Sequence, residues 1–291
     1  MKKILFSIAL FAAVVCGTDA VQAQQQGIAM PAASPAATIN QKVGLTDITV
    51  QYSRPSLKGR KFGVELAPYG KLWRTGANAS TKIKFSDDVT IHGNKVPAGE
   101  YALYTIPNQN EWTIVIHKNT THWGDGGPAY KQEEDLARFT VKAQTNARAV
   151  ETFTINFANL KTGSADVELL WDKSIATFTI ETDVDSKVMA QIQERVVKGT
   201  DVTPGLYAAA ASYYFENGKD LKLAADWMKK ANAAEPRFWT LHTQAKIQAQ
   251  LKDYKNAVTT AEKSLEMAKK EGNADYVRMN EDAIAQWKKM K

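Results

Sequence analysis

The sequence predicts two unlike halves: an all-β sandwich over residues 38–185, then an all-α helical-repeat region over residues 186–291. Three observations carry this. From about Thr38 to Asp185 apolar and polar side chains alternate in short runs separated by turn residues, the period of half-buried strands. Past Ser186 the alternation vanishes and apolar residues recur four apart. Two stretches of the second half then match each other at a fixed offset of 33 residues. A length of 291 residues suits two domains, and 44% hydrophobic with 23% charged residues is a globular composition. Wholesale disorder, collagen-like repeats and a polytopic membrane protein are excluded.

At the N-terminus, Lys2-Lys3, an apolar run from Ile4 to Cys16 and the ending Val21-Gln22-Ala23 are the three parts of a secretory signal peptide, with cleavage expected after Ala23. The run is shorter than the roughly 20 residues a spanning helix needs. The protein is therefore expected to be exported, periplasmic or secreted. Bacterial lipoproteins acylate a cysteine at the cleavage site after a small residue; Val15 stands there, so membrane attachment is expected only if Cys16 is lipidated. One cysteine excludes a disulfide framework and any multi-thiolate metal site. Residues 24–37, rich in Gln, Ala and Pro and uncharged, are expected to form a flexible lead-in.

The strands follow in order. Ile48, Val50 and Tyr52 alternate with Thr49 and Gln51; Ile83–Phe85, Val89–Ile91, Tyr101–Ile106, Trp112–His117 and Ala137–Val141 continue the pattern. Thr152–Phe157, Val167–Trp171 and Ile175–Ile180 complete about nine short strands. Gly93-Asn94, Pro97-Ala98-Gly99 and Pro107-Asn108 are turn chemistry between them. Many short strands with regular turns predict a sandwich, immunoglobulin-like or jelly-roll-like.

In the second half, Val188, Ile192 and Val196 fall on one helix face, with Asp185 or Ser186 as the expected cap. Leu221 and Tyr254, Ala224 and Ala257, and Ala231 and Ser264 are the pairs 33 residues apart. Small residues where helices cross and a bulky one at the turn resemble the tetratricopeptide repeat, whose period is about 34. The match spans roughly 205–269, and residues 273–289 are expected to form a further amphipathic helix. Two repeats fall short of the three usually needed, so the Val188–Val196 helix is expected to add a layer and join the repeats to the sheet.

Of the 37 basic and 31 acidic residues, 17 of each lie in 24–185, whereas 186–291 holds 18 and 13. The net charge of +6 thus sits mainly on the helices. Lys229-Lys230 and Lys269-Lys270 are placed to complement helix dipoles in last turns. No basic face interleaved with aromatics is present, so nucleic acid is not an expected partner.

The densest polar–aromatic stretch runs from Tyr52 to Thr81, about 30 residues, long for a sandwich connection. Arg54, Arg60 and Arg74 offer guanidinium forks for a carboxylate or sulfate; Trp73 could stack on a sugar ring or plug one end of the sandwich, with the arginines then bonding loop carbonyls. Gly59-Arg60-Lys61-Phe62-Gly63 and Gly70-Lys71-Leu72-Trp73-Arg74-Thr75-Gly76-Ala77-Asn78 resemble an exported bacterial family called domain of unknown function 2911. Val96–Pro107, Glu111-Trp112-Thr113, Trp123-Gly124 and Leu169-Leu170-Trp171 look like its later blocks. The resemblance covers about 38–182 and implies an all-β exported domain, sometimes followed by helical repeats; it implies no activity. The candidate ligand-binding residues are Arg54, Arg60, Trp73, Arg74, Asn78 and Trp123.

His117 and His122 with Asp125 have the composition of a metal ligand set, but H-x4-H on a loop matches no defined geometry. They are read as exposed loop histidines, and no metal or cofactor is expected. Neither a Gly-x-Ser-x-Gly elbow nor a phosphate-binding loop occurs. The expectation is a non-enzymatic binding or interaction protein, with the β-domain loop facing a glycan or small anionic ligand and the repeats docking a protein. The alternative is a hydrolase acting on envelope or extracellular glycans.

Overall fold

The computed structural model describes residues 30–290. The expected signal peptide, Cys16 and most of the lead-in lie outside the described residues.

Among the described residues, nine strands form one antiparallel sheet. They are β1 Ala36–Val43, β2 Thr46–Ser53, β3 Thr81–Phe85, β4 Val89–Ile91, β5 Asn94–Val96, β6 Gly99–Pro107, β7 Glu111–His117, β8 Asp135–Ala158 and β9 Ser164–Thr182. Their order across the sheet is β1-β2-β3-β6-β7-β8-β9-β4-β5. The two long strands turn the sheet. The start of β8 pairs with β7 (Val141 opposite Trp112), its end pairs with β9 (Ile155 opposite Leu169), and the end of β9 pairs with β4 (Ile180 opposite Ile91). Side chains from both ends of this order share one hydrophobic cluster, Ile48, Ile83, Leu103 and Ile114 on one side and Ile155, Leu169 and Phe178 on the other. Each such aliphatic or aromatic side chain contributes roughly 1.5–3 kcal/mol on burial.

The strand count agrees with expectation, but its composition does not. Ala137–Val141 and Thr152–Phe157 are two parts of β8, and Val167–Trp171 and Ile175–Ile180 are two parts of β9. Between them the pairing slips at Thr145 and Val150, and the side chains there are largely exposed, so the alternation that marks a strand is lost. Strand β1 begins inside the expected lead-in, and β5 begins at Asn94, which was expected as a turn residue.

Six α-helices follow among the described residues: α1 Val184–Ile192, α2 Pro204–Glu216, α3 Leu221–Ala234, α4 Phe238–Gln250, α5 Tyr254–Lys270 and α6 Ala274–Trp287. The cap of α1 is Asp183 rather than Asp185 or Ser186; its carboxylate accepts from Ser186 N at 3.0 Å. Helix α1 continues into a π-helical turn, Gln193–Val197. Ile192 and Val196 are buried with Ala210, Trp227 and Met228 in a second hydrophobic cluster. The junction with the sheet is tight. At Gly44 (φ +59°), in the β1–β2 turn, a Cβ would stand 2.3 Å from Val184 Cγ2, so only glycine fits. Lys187 on α1 pairs with Asp87 after β3 at 2.6 Å.

The 33-residue offset falls on equivalent places. Asp220 and Asp253 both cap helices, Leu221 and Tyr254 are the first residues of α3 and α5, and Ala224 and Ala257 are fully buried. Ala231 and Ser264 are buried at matching depth, and the Ser264 hydroxyl donates to Phe238 O at 2.6 Å.

Candidate functional site

Strands β6 and β7 are buried on both faces. Leu103, Trp112, Ile114 and Ile116 face the main cluster, while Ala102, Tyr104 and Val115 form a small cluster on the opposite side, covered by Leu72 and Tyr130. An antiparallel sheet commonly leaves that second face to water. Here two connections cover it, residues 54–80 between β2 and β3 and residues 118–134 between β7 and β8.

The first connection is pinned at several points. Leu57 N donates to Glu151 O and Phe153 N donates to Pro55 O, tying its start to β8. Further on, Trp73 and Thr105 exchange backbone hydrogen bonds of 2.7 and 2.9 Å, which extends the β3 side of β6. The two connections meet where Ser80 N donates to His122 O and Gly124 N donates to Asn78 O. Lys58, Ala67, Thr75 and Asn78 all adopt positive φ within this stretch. Thr75, β-branched and fully buried at φ +54°, is a strained position of the kind that concentrates at binding sites.

Trp73 belongs to the core. Its ring stacks on Trp171 (centroids 5.3 Å, 17° between planes), meets Phe153 at 4.9 Å and lies beside Phe62 and Trp112. Its indole N–H donates to Gly76 O at 3.0 Å. With both faces covered, it is not available to stack on a sugar.

A cavity of about 450 Å³ lies over this aromatic floor. Trp73, Trp171, Leu66 and Leu72 supply apolar wall, and Arg60, Glu65, Arg74, Asn78 and Asp125 supply the polar groups. Arg60 is committed to the loop, donating to Leu57 O and Ser56 O. Glu65 accepts from Lys61 N, and Asp125 accepts from Gly127 N. Arg74 stands apart: its Nε is buried without a partner, and among the described residues no ion pair reaches its guanidinium. A guanidinium is charged at all ordinary pH, and a partly buried one without an acceptor is costly.

Behind the cavity is a buried polar network. The Tyr104 hydroxyl and His122 Nδ1 are hydrogen-bonded at 3.1 Å. Burial raises the Tyr104 pKa; the nearby Asp125 charge raises it further and the Arg74 charge lowers it. His117 donates from Nδ1 to Asp135 at 2.8 Å, and the same carboxylate accepts from Tyr130 and from Arg138. Burial, then the Asp135 hydrogen bond, drives the Tyr130 hydroxyl far above its ordinary pKa, so it remains a donor. His117 and His122 are thus not exposed loop histidines: they are 0% and 8% exposed, because the second connection folds over the face to which the end of β7 points. Among the described residues, no group of three or more His, Cys, Asp or Glu is placed to hold a metal ion.

Of the expected site residues, Arg60, Trp73, Arg74 and Asn78 converge on the cavity. Arg54 does not; its guanidinium donates to Phe153 O and Thr154 Oγ1, fastening the loop to β8. Trp123 is 74% exposed, in the backbone segment that carries Asp125 but outside the lining. Glu65, Asp125 and Trp171 complete the cavity without having been singled out as ligand residues. Only the pairing of the two distant connections brings Asp125 to Arg74, and no local pattern carries that information.

The family model described as protein of unknown function (DUF2911) matches residues 34–180, which include the whole cavity lining and most of the sheet. No curated protein and no solved structure matches.

Proposed function

From the premise that the chain belongs to the DUF2911 family, we propose that it is an exported binding protein that holds the anionic group of a small ligand against Arg74. The carrying observation is the unpartnered Arg74 Nε at the wall of a cavity of about 450 Å³. A carboxylate or sulfate would supply the acceptor that the guanidinium lacks, in bidentate geometry. The stacked Trp73 before it and the strained Thr75 after it fix the backbone from which that guanidinium extends. Export rests on the basic, apolar and Val-x-Ala pattern of residues 1–23. We read the sheet as a sandwich closed around its shared cluster.

The test is a panel of small carboxylates and sulfate, scored by ligand-induced thermal stabilisation of the full chain and of Arg74→Gln. Stabilisation of the parent protein that Arg74→Gln loses is the expected result. Equal stabilisation of both proteins, or none of either, overturns the reading.

For the helices we propose tetratricopeptide-like repeats that dock a protein. The matching caps and buried alanines of α3 and α5 support it, as does an open groove of about 620 Å³ between α2 and α4, where Ala208, Ala209 and Ser212 leave room beside Trp239. Capture of a protein by the full chain that is lost on Trp239→Ala is expected; undiminished capture refutes it. The glycan-hydrolase alternative calls for an acid with a raised pKa beside the cavity. The carboxylates displaced from their ordinary values, Asp87 and Asp185, are lowered by Lys187 and Lys219 and lie outside the lining. Among the described residues, no helix is long and apolar enough to cross a membrane.

A further inference from the structure

The charges that line the cavity are balanced. Arg60 and Arg74 line it, and so do Glu65 and Asp125, and none of the four is within ion-pair distance of an opposite charge among the described residues. Opposite charges in one small cavity would ordinarily pair with each other. Here the backbone keeps them apart. Arg74 extends from a segment bridged to β6 through Trp73 and Thr105, while Asp125 is held on the other connection by its hydrogen bond from Gly127 N. Arg74 Nη1 lies against Gly124, only 3.2 Å from where a Cβ there would stand, and Gly124 is the neighbour of Asp125, so the two charges flank the same end of the cavity.

We propose that the ligand is a small zwitterion, an α-amino acid or its close derivative. Its carboxylate pairs with Arg74 and its ammonium with Asp125. This inference rests on the reading of the cavity as a ligand site and specifies the ligand's class. A purely anionic ligand would satisfy Arg74 but face two carboxylates. A purely cationic one would satisfy Asp125 but face two guanidinium groups. A neutral sugar would leave both full charges without counter-charges, which a low-dielectric pocket penalises. A zwitterion compensates both at once, and the apolar wall of Leu66, Pro68 and Leu72 receives its side chain. Asn78, whose side-chain amide donates to Ser53 Oγ at 3.2 Å, leaves its carbonyl oxygen as a further acceptor for the ammonium.

The experiment uses the full chain and the twenty amino acids as individual probes, by thermal shift and then calorimetry. For the best binder, its N-acetyl form (anion only) and its amide form (cation only) follow. We expect both derivatives to bind at least about tenfold more weakly than the zwitterion. Asp125→Asn, which keeps an oxygen for Gly127 N, should weaken the zwitterion by a similar factor yet bind the N-acetyl form at least as tightly as the parent protein does. Arg74→Gln should weaken both. If the N-acetyl form binds as tightly as the parent amino acid and Asp125→Asn has no effect, the zwitterion assignment is overturned while an anion site at Arg74 stands. If none of the twenty binds in an Arg74-dependent way, the zwitterion assignment falls, and Arg74-dependent binding of acetate or sulfate decides separately whether the anion site survives. Circular dichroism of both variants must match that of the parent, and Asn78→Asp, which adds a second negative charge beside the ammonium, should strengthen zwitterion binding.

Discussion

Replacing Trp73 by alanine separates a core residue from a ligand platform. The ring is only 8% exposed and touches Phe62, Trp112, Phe153 and Trp171. An aromatic side chain buries roughly 150–250 Å², which at about 25 cal/mol per Å² gives about 4–6 kcal/mol as an upper bound. Large-to-small substitutions of tryptophan cost about 3–5 kcal/mol. Losing the donor to Gly76 O adds about 1 kcal/mol, because that carbonyl is left in the cavity floor. The expected loss is therefore about 4–6 kcal/mol, a large share of the stability of a domain that is typically worth about 5–15 kcal/mol. Urea denaturation followed by near-ultraviolet circular dichroism reads the loss directly, since packed tryptophans dominate that signal. Trp73→Phe keeps the aromatic contact, forfeits the hydrogen bond and should cost about 1–2 kcal/mol. A loss below about 1 kcal/mol for Trp73→Ala would refute the core assignment and return the ring to the ligand.

Two further predictions concern charge. His242 is buried, with Nδ1 bonded to Asn280 at 2.9 Å; burial lowers its pKa, Lys246 lowers it further and the Asn280 bond opposes them. Its folded value lies below the unfolded one, so the stability it contributes is complete above about pH 6.5 and is lost as the pH falls toward the folded value. Urea midpoints of the helical signal should fall between about pH 7.5 and pH 5, and the fall should shrink in His242→Gln; an identical pH dependence in that variant would sink the assignment. At the junction of sheet and helices, the Lys187 hydrogen bond, then Ser86, holds the Asp87 carboxyl below its ordinary value. Its contribution is present above the ordinary carboxylate range and lost as the pH falls through the folded value. Lys187→Ala should shift the Asp87 titration upward in an NMR pH series, at a stability cost under about 1 kcal/mol because both side chains are about one-third exposed; an unmoved titration would show that the pair does not form in solution.

How much was legible in the sequence depended on whether a residue's neighbours are local. Strands such as β2 and β3 alternate because one face is buried against the main cluster, and the pattern locates them to within a residue or two. The centre of β8 pairs only with β9 beyond the end of β7, exposes both faces and carries bulges, so nothing in Lys142–Glu151 distinguishes it from a loop. The 33-residue offset between α3 and α5 was legible because caps and buried small residues are local chemistry. The contact of Asn280 with both His242 and Ser264, which joins α6 to α4 and α5, was not. A buried asparagine resembles a surface one until its partners are known. The same limit misplaced His117 and His122: their burial depends on a distant connection covering a face that antiparallel sheets often leave to water.

The Trp73-Arg74 pair shows why the candidate site was half legible. Adjacent residues on extended backbone point to opposite faces, so a segment bridged to β6 must send one of the two inward and the other outward. Reading both as ligand groups ignored that alternation. The structure sends the tryptophan into the main cluster, while Leu72 packs on Tyr104 and Arg74 Nη1 lies against Gly124 on the other side. Core and cavity are therefore made by one stretch of chain. The aromatic anchoring of Trp73 fixes the backbone at Arg74, and the strained Thr75 beyond it is tolerated because Thr81 Oγ1 donates to its carbonyl at 2.6 Å. A charge held this rigidly, with no ion-pair partner among the described residues, is pre-organised for one from outside, because the entropy of placing it is lost on folding rather than on binding.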